Sequence, residues 1–192
     1  MYVSGDYTAM PYTLVTGQST KTTFVFDKNG EIRWYLTDTT GSYGAFPISG
    51  GHFMFQGRQV MVPTYEKPHT VKMYEMDYLG RTHKVYYIPT GWHHEVIEKE
   101  EGGNLLVLSS SIDEHVEDTV IEIDRETGKI VKTLDMRDIF DETYEDMIDW
   151  AHLNTIDFCE EDNSLILSPR NVHSIIKVDW ETNELKWILC NP

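Results

Sequence analysis

The chain has 192 residues, 40% of them hydrophobic, and its 16 basic against 32 acidic side chains leave a formal charge of −16, a composition that supports a folded core and excludes a disordered chain. A nucleic-acid backbone or an anionic membrane surface is repelled at long range by that charge, so neither is an expected partner. No apolar run approaches the eighteen or so residues that span a bilayer, and the N-terminus, Met1 to Tyr7, lacks the basic-then-apolar pattern of a signal peptide.

The N-terminal stretch opens partway through a strand unit, which suggests a piece of a longer protein. The first clear unit runs from Thr23 to Leu36: an alternating strand to Phe26, the turn Asp27-Lys28-Asn29-Gly30, and a second strand through Trp34. The same hairpin recurs at Met73 to Ile88, at Val120 to Leu134 and at Ile176 to Leu189. Its turn aspartates, Asp27, Asp77, Asp124 and Asp179, are spaced by 50, 47 and 55 residues. Each can bond its own backbone to start the turn, and a Gly or Asn follows where positive φ is needed.

A further hairpin precedes the last three copies. Its turns are Ser49-Gly50-Gly51, followed by the strand His52 to Phe55; Glu101-Gly102-Gly103-Asn104, between Val96–Glu98 and Leu105–Leu108; and Glu161-Asp162-Asn163, between Thr155–Phe158 and Leu165–Leu167. Four strands per repeat make a propeller blade. The expected fold class is therefore all-β, a partial β-propeller of four-stranded antiparallel blades. Its units fall at about 1–43 (partial, without an innermost strand), 44–90, 91–137 and 150–192. A two-sheet sandwich is the alternative, and the near-constant period with the shared Trp34 and Trp187 argues against it. Residues 138–149 break the strand rhythm: Ile139/Phe140, Thr143/Tyr144 and Met147/Ile148 recur four apart. That spacing predicts a short inter-blade helix with Asp141, Glu142, Glu145 and Asp146 on its solvated face.

In a propeller, polar residues just before each innermost strand converge on the central channel. Setting Asn104 against Asn163 superposes His93-His94-Glu95 on His152-Leu153-Asn154, so His93 and His152 occupy one channel-entry position on neighbouring blades. An imidazole, with an ordinary pKa of about 6.5, suits proton transfer or nucleophilic attack near neutrality. Strand alternation turns His94 the other way, as a flanking residue. Pro169 must sit at a strand end or bulge, which frees Arg170 to lean toward the channel, where its planar fork can clamp a sulfate, phosphate or carboxylate. An isolated histidine is more often structural than functional, and His69, His115 and His173, in loops between second and third strands, are read that way. Cys159 and Cys190 show no metal-binding spacing and settle no compartment. Phosphate-binding loops, dinucleotide fingerprints, HExxH and Gly-x-Ser-x-Gly are all absent from the sequence.

The run Asp149-Trp150-Ala151-His152-Leu153-Asn154, the acidic turn at Asp162-Asn163, the strand ending Ser168-Pro169-Arg170 and the close Lys186-Trp187-Ile188-Leu189 resemble the bacterial arylsulfate sulfotransferase family. Trp92-His93-His94-Glu95 with Gly103-Asn104 is similar to another of its motifs, with Glu95 in place of the commoner Asp. The resemblance covers the chain from about Gly44 onward. It implies a six-bladed propeller, of which this chain would hold three to four blades. The implied activity is transfer of a sulfuryl group from a phenolic sulfate ester to a phenol through a sulfohistidine, with no nucleotide sulfate donor, no cofactor and no metal. Catalytic roles are implied for His93, His152 and Arg170: His152 and Arg170 would stabilise the sulfuryl oxygens and His93 would assist proton transfer at the phenolic oxygen. Asn154 would orient the sulfuryl group, and His94 is placed with it as a substrate-binding residue.

In that family the nucleophilic histidine lies in a later blade, so the attacking group is expected outside this chain, and His173 is not its substitute. A periplasmic or cell-surface location also comes only from the resemblance. Open blade edges invite association with another copy, a possible homo-oligomer. Two other functions compete: a non-catalytic propeller binding module, and a metal-dependent propeller hydrolase such as a lactonase with His, Asp, Glu or Asn ligands. The latter ranks last, because no acidic set clusters at the channel positions of the sequence.

Overall fold

Each repeated hairpin closes on its aspartate. In the computed structural model, which describes residues 11–17, 22–36, 44–56, 71–111, 115–140 and 147–190, Asp27 Oδ1 accepts from the backbone N–H groups of Asn29 and Glu31 at 2.9 and 3.1 Å. Asp77 does the same for Leu79 and Arg81, and Asp179 for Glu181 and Thr182. Asp124 Oδ1 accepts from Thr127 N–H. Gly30, Gly80, Gly128 and Asn183 then take the left-handed conformation (φ 62 to 79°) that folds the chain back.

These turns join the outer strands of four antiparallel sheets. The first holds β1 (Tyr12–Gly17), β2 (Thr22–Asp27) and β3 (Ile32–Leu36), in that order. The second holds β4 (Ala45–Ile48), β5 (His52–Gln56), β6 (Val71–Asp77) and β7 (Thr82–Ile88). The third consists of β8 (Trp92–Glu98), β9 (Leu105–Ser109), β10 (Thr119–Ile123) and β11 (Ile130–Asp135), and the fourth of β12 (Leu153–Cys159), β13 (Ser164–Pro169), β14 (Ser174–Asp179) and β15 (Leu185–Cys190). Within each sheet the strands follow chain order, the meander of a propeller blade.

The sheets pack in series. Alternating residues of the third sheet serve two cores: Leu105, Val107, Ile121 and Ile123 meet Met54, Met73, Tyr86 and Ile88 of the second, while Leu106, Leu108, Val120 and Leu134 meet Leu165, Leu167, Ile176 and Val178 of the fourth. Leu36 and Trp34 of the first sheet pack on Phe53 and Phe55 of the second. The first strands of the blades also touch, β8 contacting β4 on one side and β12 on the other. This is a fan of blades about an inner rim, and the chain is an all-β partial propeller. The 3-10 turn Met136–Asp138 precedes the segment where a helix is predicted, but residues 141–146 lie outside those described, as does His69.

Candidate functional site

At the inner rim of the third and fourth blades the backbone departs from regular strand geometry. His94 (φ 51°), within β8, and His152 (φ 50°), just before β12, are both left-handed. Each is followed by a register shift, between Trp92 and Val96 and between Leu153 and Ile156. A bulge resets the alternation of side chains, and this corrects the expectation that His94 turns away and His93 faces His152. His94 Nε2 lies 3.3 Å from His152 Nε2, with ring centroids 5.2 Å apart. The matched pair is therefore His94 with His152.

His93 instead turns inward. Its ring is buried and its Nε2–H donates to the Ser109 carbonyl at 3.0 Å, while Nδ1 has no hydrogen-bond partner among the described residues. Burial drives its pKa down to about 3, the Ser109 hydrogen bond opposing and His94 and His152 adding to the shift. A ring held neutral and 5.3 Å from the His94 centroid buttresses the pair.

Two carboxylates meet His152 on its other nitrogen. Asp149 Oδ2 and Oδ1 accept from Nδ1 at 2.8 and 3.0 Å. Glu117 Oε2 is 2.8 Å from the same Nδ1 and 3.5 Å from His94 Nε2, close contacts that lack hydrogen-bond alignment. Glu117 sits in the β9–β10 connection in left-handed backbone (φ 58°), held by its N–H on Ser110 Oγ and by its carbonyl on Leu153 N–H. Burial raises its pKa, against the pull of His152 and His94, and Asp149 pushes the same way as burial. With Nδ1–H committed to Asp149, His152 presents a lone pair at Nε2, and His94 Nε2–H donates to it.

Arg170 lies at the edge of this cluster. Pro169 ends β13 and Arg170 opens a 3-10 turn whose backbone is tied to the histidine segment: Arg170 N–H donates to His152 O at 3.0 Å and Asn171 N–H to Ala151 O at 3.1 Å. Its half-exposed guanidinium stands 3.9 Å from Asp149 Oδ2. With His173, Ser174 and Leu189 it also lines a depression on the open side of the fourth blade. Asn154 is half-buried in the β12 bulge, and its side chain has no hydrogen-bond partner among the described residues. Glu95 reaches across to the fourth blade, accepting from Thr155 Oγ1 and Ile156 N–H at 2.6 and 2.9 Å, and so clamps β8 to β12.

The structure thus gathers His93, His94, His152 and Arg170 at one rim, with Asn154 close by in sequence. It leaves His115 in the β9–β10 connection and His173 exposed at a left-handed turn end. It adds Glu117 and Asp149, so the acidic cluster thought missing is present. Asp149 was visible as the acid three residues before His152, whereas Glu117 carried no signal among 32 acidic residues. Two donor sets, His93–His94–Glu117 and Glu117–Asp149–His152, each bring their ligand atoms within 4.8 Å of one another.

The family model "Arylsulfotransferase (ASST)" matches residues 4–192. The chain is similar to the arylsulfate sulfotransferases AssT of Escherichia coli O6:H1 (strain CFT073) and Lelliottia amnigena, 23% and 24% identical, each alignment covering 87% of this chain. It spans 36% of the length of those curated relatives. A crystal structure of a protein of unknown function from Bacteroides caccae aligns with a TM-score of 0.49 and 14% identity, over 93% of this chain and 72% of that one.

Proposed function

Because this chain belongs to the arylsulfotransferase family, we propose that its inner rim forms part of a site that moves a sulfuryl group from an aryl sulfate ester to a phenol through a sulfohistidine, without a nucleotide sulfate donor. A histidine nitrogen, expected outside this chain, bonds to sulfur as the S–O bond to the aryl oxygen breaks and the departing phenolate takes up a proton; the S–N bond then breaks as the acceptor phenol loses its proton and its oxygen bonds to sulfur. The observation that carries this reading is the His94–His152 contact at 3.3 Å with His152 Nδ1 held by Asp149. One proton lies between the two Nε2 atoms, ready to be given to a phenolate or taken from a phenol. The proton held between the two imidazoles, with the permanent charge of Arg170, stabilises the sulfuryl oxygens. His94 thereby takes the proton-transfer role that the sequence suggests for His93, and Asn154 orients the group.

The test uses two samples. In the 192-residue chain, p-nitrophenyl sulfate should shift the imidazole NMR signals of His94 and His152 while leaving that of exposed His83 in place; equal shifts, or none, would dismiss the site. In a longer protein containing this chain, p-nitrophenolate release with a phenol acceptor should collapse in His152→Ala, and an unchanged rate would dismiss its role.

A second reading is favoured by the two donor sets at the rim, which suit a divalent cation as well as a proton. Turnover that is lost on chelation and restored by a metal would replace the sulfohistidine reading with this one.

A further inference from the structure

The two bulges at the rim are tied to each other. β8 and β12 are the inner edge strands of their sheets, so backbone N–H groups on their channel side have no ladder partner and must find one elsewhere. Two of those on β12 find it in the third blade: Leu153 N–H donates to the Glu117 carbonyl at 2.9 Å, and Ile156 N–H to Glu95 Oε2 at 2.9 Å. The same Glu95 oxygen accepts from Thr155 Oγ1 at 2.6 Å, and among the described residues Glu95 has no other hydrogen-bond or ionic partner. Glu95 directly follows His94 inside the β8 irregularity, between Trp92 and Val96, while Thr155 and Ile156 close the β12 irregularity just downstream of His152.

The blades do not need this tie to stay together. Leu106, Leu108 and Val120 pack on Leu165, Leu167 and Ile176, and away from the rim Lys132 Nζ donates to the Trp180 carbonyl and Trp180 Nε1 to Glu122. The two earlier junctions are held in the same way: Trp34 Nε1 donates to the Tyr78 carbonyl and Lys84 Nζ to the Arg125 carbonyl, and Arg125 pairs with Glu75 and Glu98. Glu95 is half-buried and Thr155 exposed. What the tie holds is local. His94 and His152 both sit in left-handed backbone, a conformation that persists at a residue with a Cβ only where its surroundings enforce it.

We propose that Glu95 is a positioning residue of the rim: by joining the bulge that carries His94 to the bulge that carries His152, it sets the 3.3 Å approach of the two Nε2 atoms. The proposal rests on the sulfuryl-transfer reading of the rim, in which the proton held between those atoms is given to a phenolate or taken from a phenol. Glu95 acts by its reach and not by its charge. A single oxygen takes both hydrogen bonds, so an amide oxygen at the same distance can replace it, whereas a side chain one methylene shorter withdraws by about 1.5 Å. A shift of that size carries two imidazole nitrogens out of hydrogen-bond range and slows a proton transfer between them and a substrate by about tenfold or more.

Two measurements test Glu95. In the isotope-labelled 192-residue chain, NMR should show a scalar coupling between the Nε2 atoms of His94 and His152 across their N–H···N hydrogen bond. Glu95→Gln should keep that coupling, Glu95→Ala and Glu95→Asp should lose it, and Thr155→Val, which removes one of the two donors, should weaken it. In a longer protein containing this chain, kcat for p-nitrophenolate release should fall about tenfold or more in Glu95→Ala and Glu95→Asp, with KM within about twofold of the parent's, and Glu95→Gln should stay within about twofold in both. Gly80→Ala, an outer-turn change that lowers stability, should leave both readouts in place. Circular dichroism of each variant checks that the blades remain folded, and if Glu95→Ala does not fold, the contrast of Glu95→Asp with Glu95→Gln decides. No coupling in the parent, coupling and kcat kept in Glu95→Ala or Glu95→Asp, or Glu95→Gln behaving as Glu95→Ala would each overturn the proposal. Failure of the sulfuryl-transfer reading looks different: the coupling follows the Glu95 series while turnover ignores His152→Ala.

Discussion

At the outer turns of the blades, left-handed backbone falls on Gly30, Gly80, Gly128 and Asn183, whereas at the inner rim it falls on His94, Glu117 and His152. The conformation is the same and the residue choice is opposite. Glycine adopts it without a steric penalty and asparagine with a small one, while a side chain with an ordinary Cβ costs roughly 1–2 kcal/mol there. The outer turns are thus built for stability. The rim accepts strain at three residues that together place two imidazoles and a carboxylate within contact, which is where strained backbone tends to gather in functional proteins.

The sharpest way to break this contrast is His152→Ala, which should lower sulfuryl transfer by about a hundredfold or more in a longer protein containing this chain, read as p-nitrophenolate release. A comparable loss from an outer-turn substitution would erase the distinction. Next in size is a pH effect from His93. Its folded pKa of about 3 lies below the ordinary 6.5, so its contribution to stability is full above pH 6.5. As pH falls from there toward 3, the unfolded chain binds a proton that the folded one refuses, and stability drains away. Urea midpoints measured across that window should fall with pH, and less steeply in His93→Gln; parallel slopes would show that His93 is not held neutral.

Smaller effects separate the two ends directly. At Gly80 an added Cβ meets nothing within 4 Å, so Gly80→Ala should destabilise by about 1–2 kcal/mol through φ alone, measured by chemical unfolding. At the rim, His94→Gly should be more stable than His94→Ala by about 1 kcal/mol. Both lack the imidazole, and neither should give the aryl sulfate shift at His152. A His94→Ala protein as stable as His94→Gly would mean that the rim bears no strain.

The outer architecture was legible because its signals are local. Asp27, Asp77, Asp124 and Asp179 each bond amides within four residues, so the turn is written in adjacent letters. The rim was legible only in part. His152 and Arg170 stood out by register and by Pro169, and the structure ties their backbones together. The His93/His94 choice failed because alternation assumes a regular strand, and the bulge after Trp92 depends on tertiary contacts such as Glu95 clamping β12. Glu117 could not be read at all: its place beside His152 depends on a connection from the neighbouring blade, and nothing nearby in sequence marks it.

The carbonyl acceptors at the blade junctions have an evolutionary consequence. Tyr78, Arg125 and Trp180 share one structural position and little chemistry, yet the carbonyl of each accepts from a side chain of the preceding blade, Trp34, Lys84 and Lys132 in turn. A backbone oxygen is supplied by every amino acid, so the junction places no demand on the identity of the residue that carries it. What does constrain it is the side chain's own packing: Trp180 is buried and bonds Glu122, and Arg125 pairs with Glu75 and Glu98, so mutational scanning should find tolerance at exposed Tyr78 and little at Trp180.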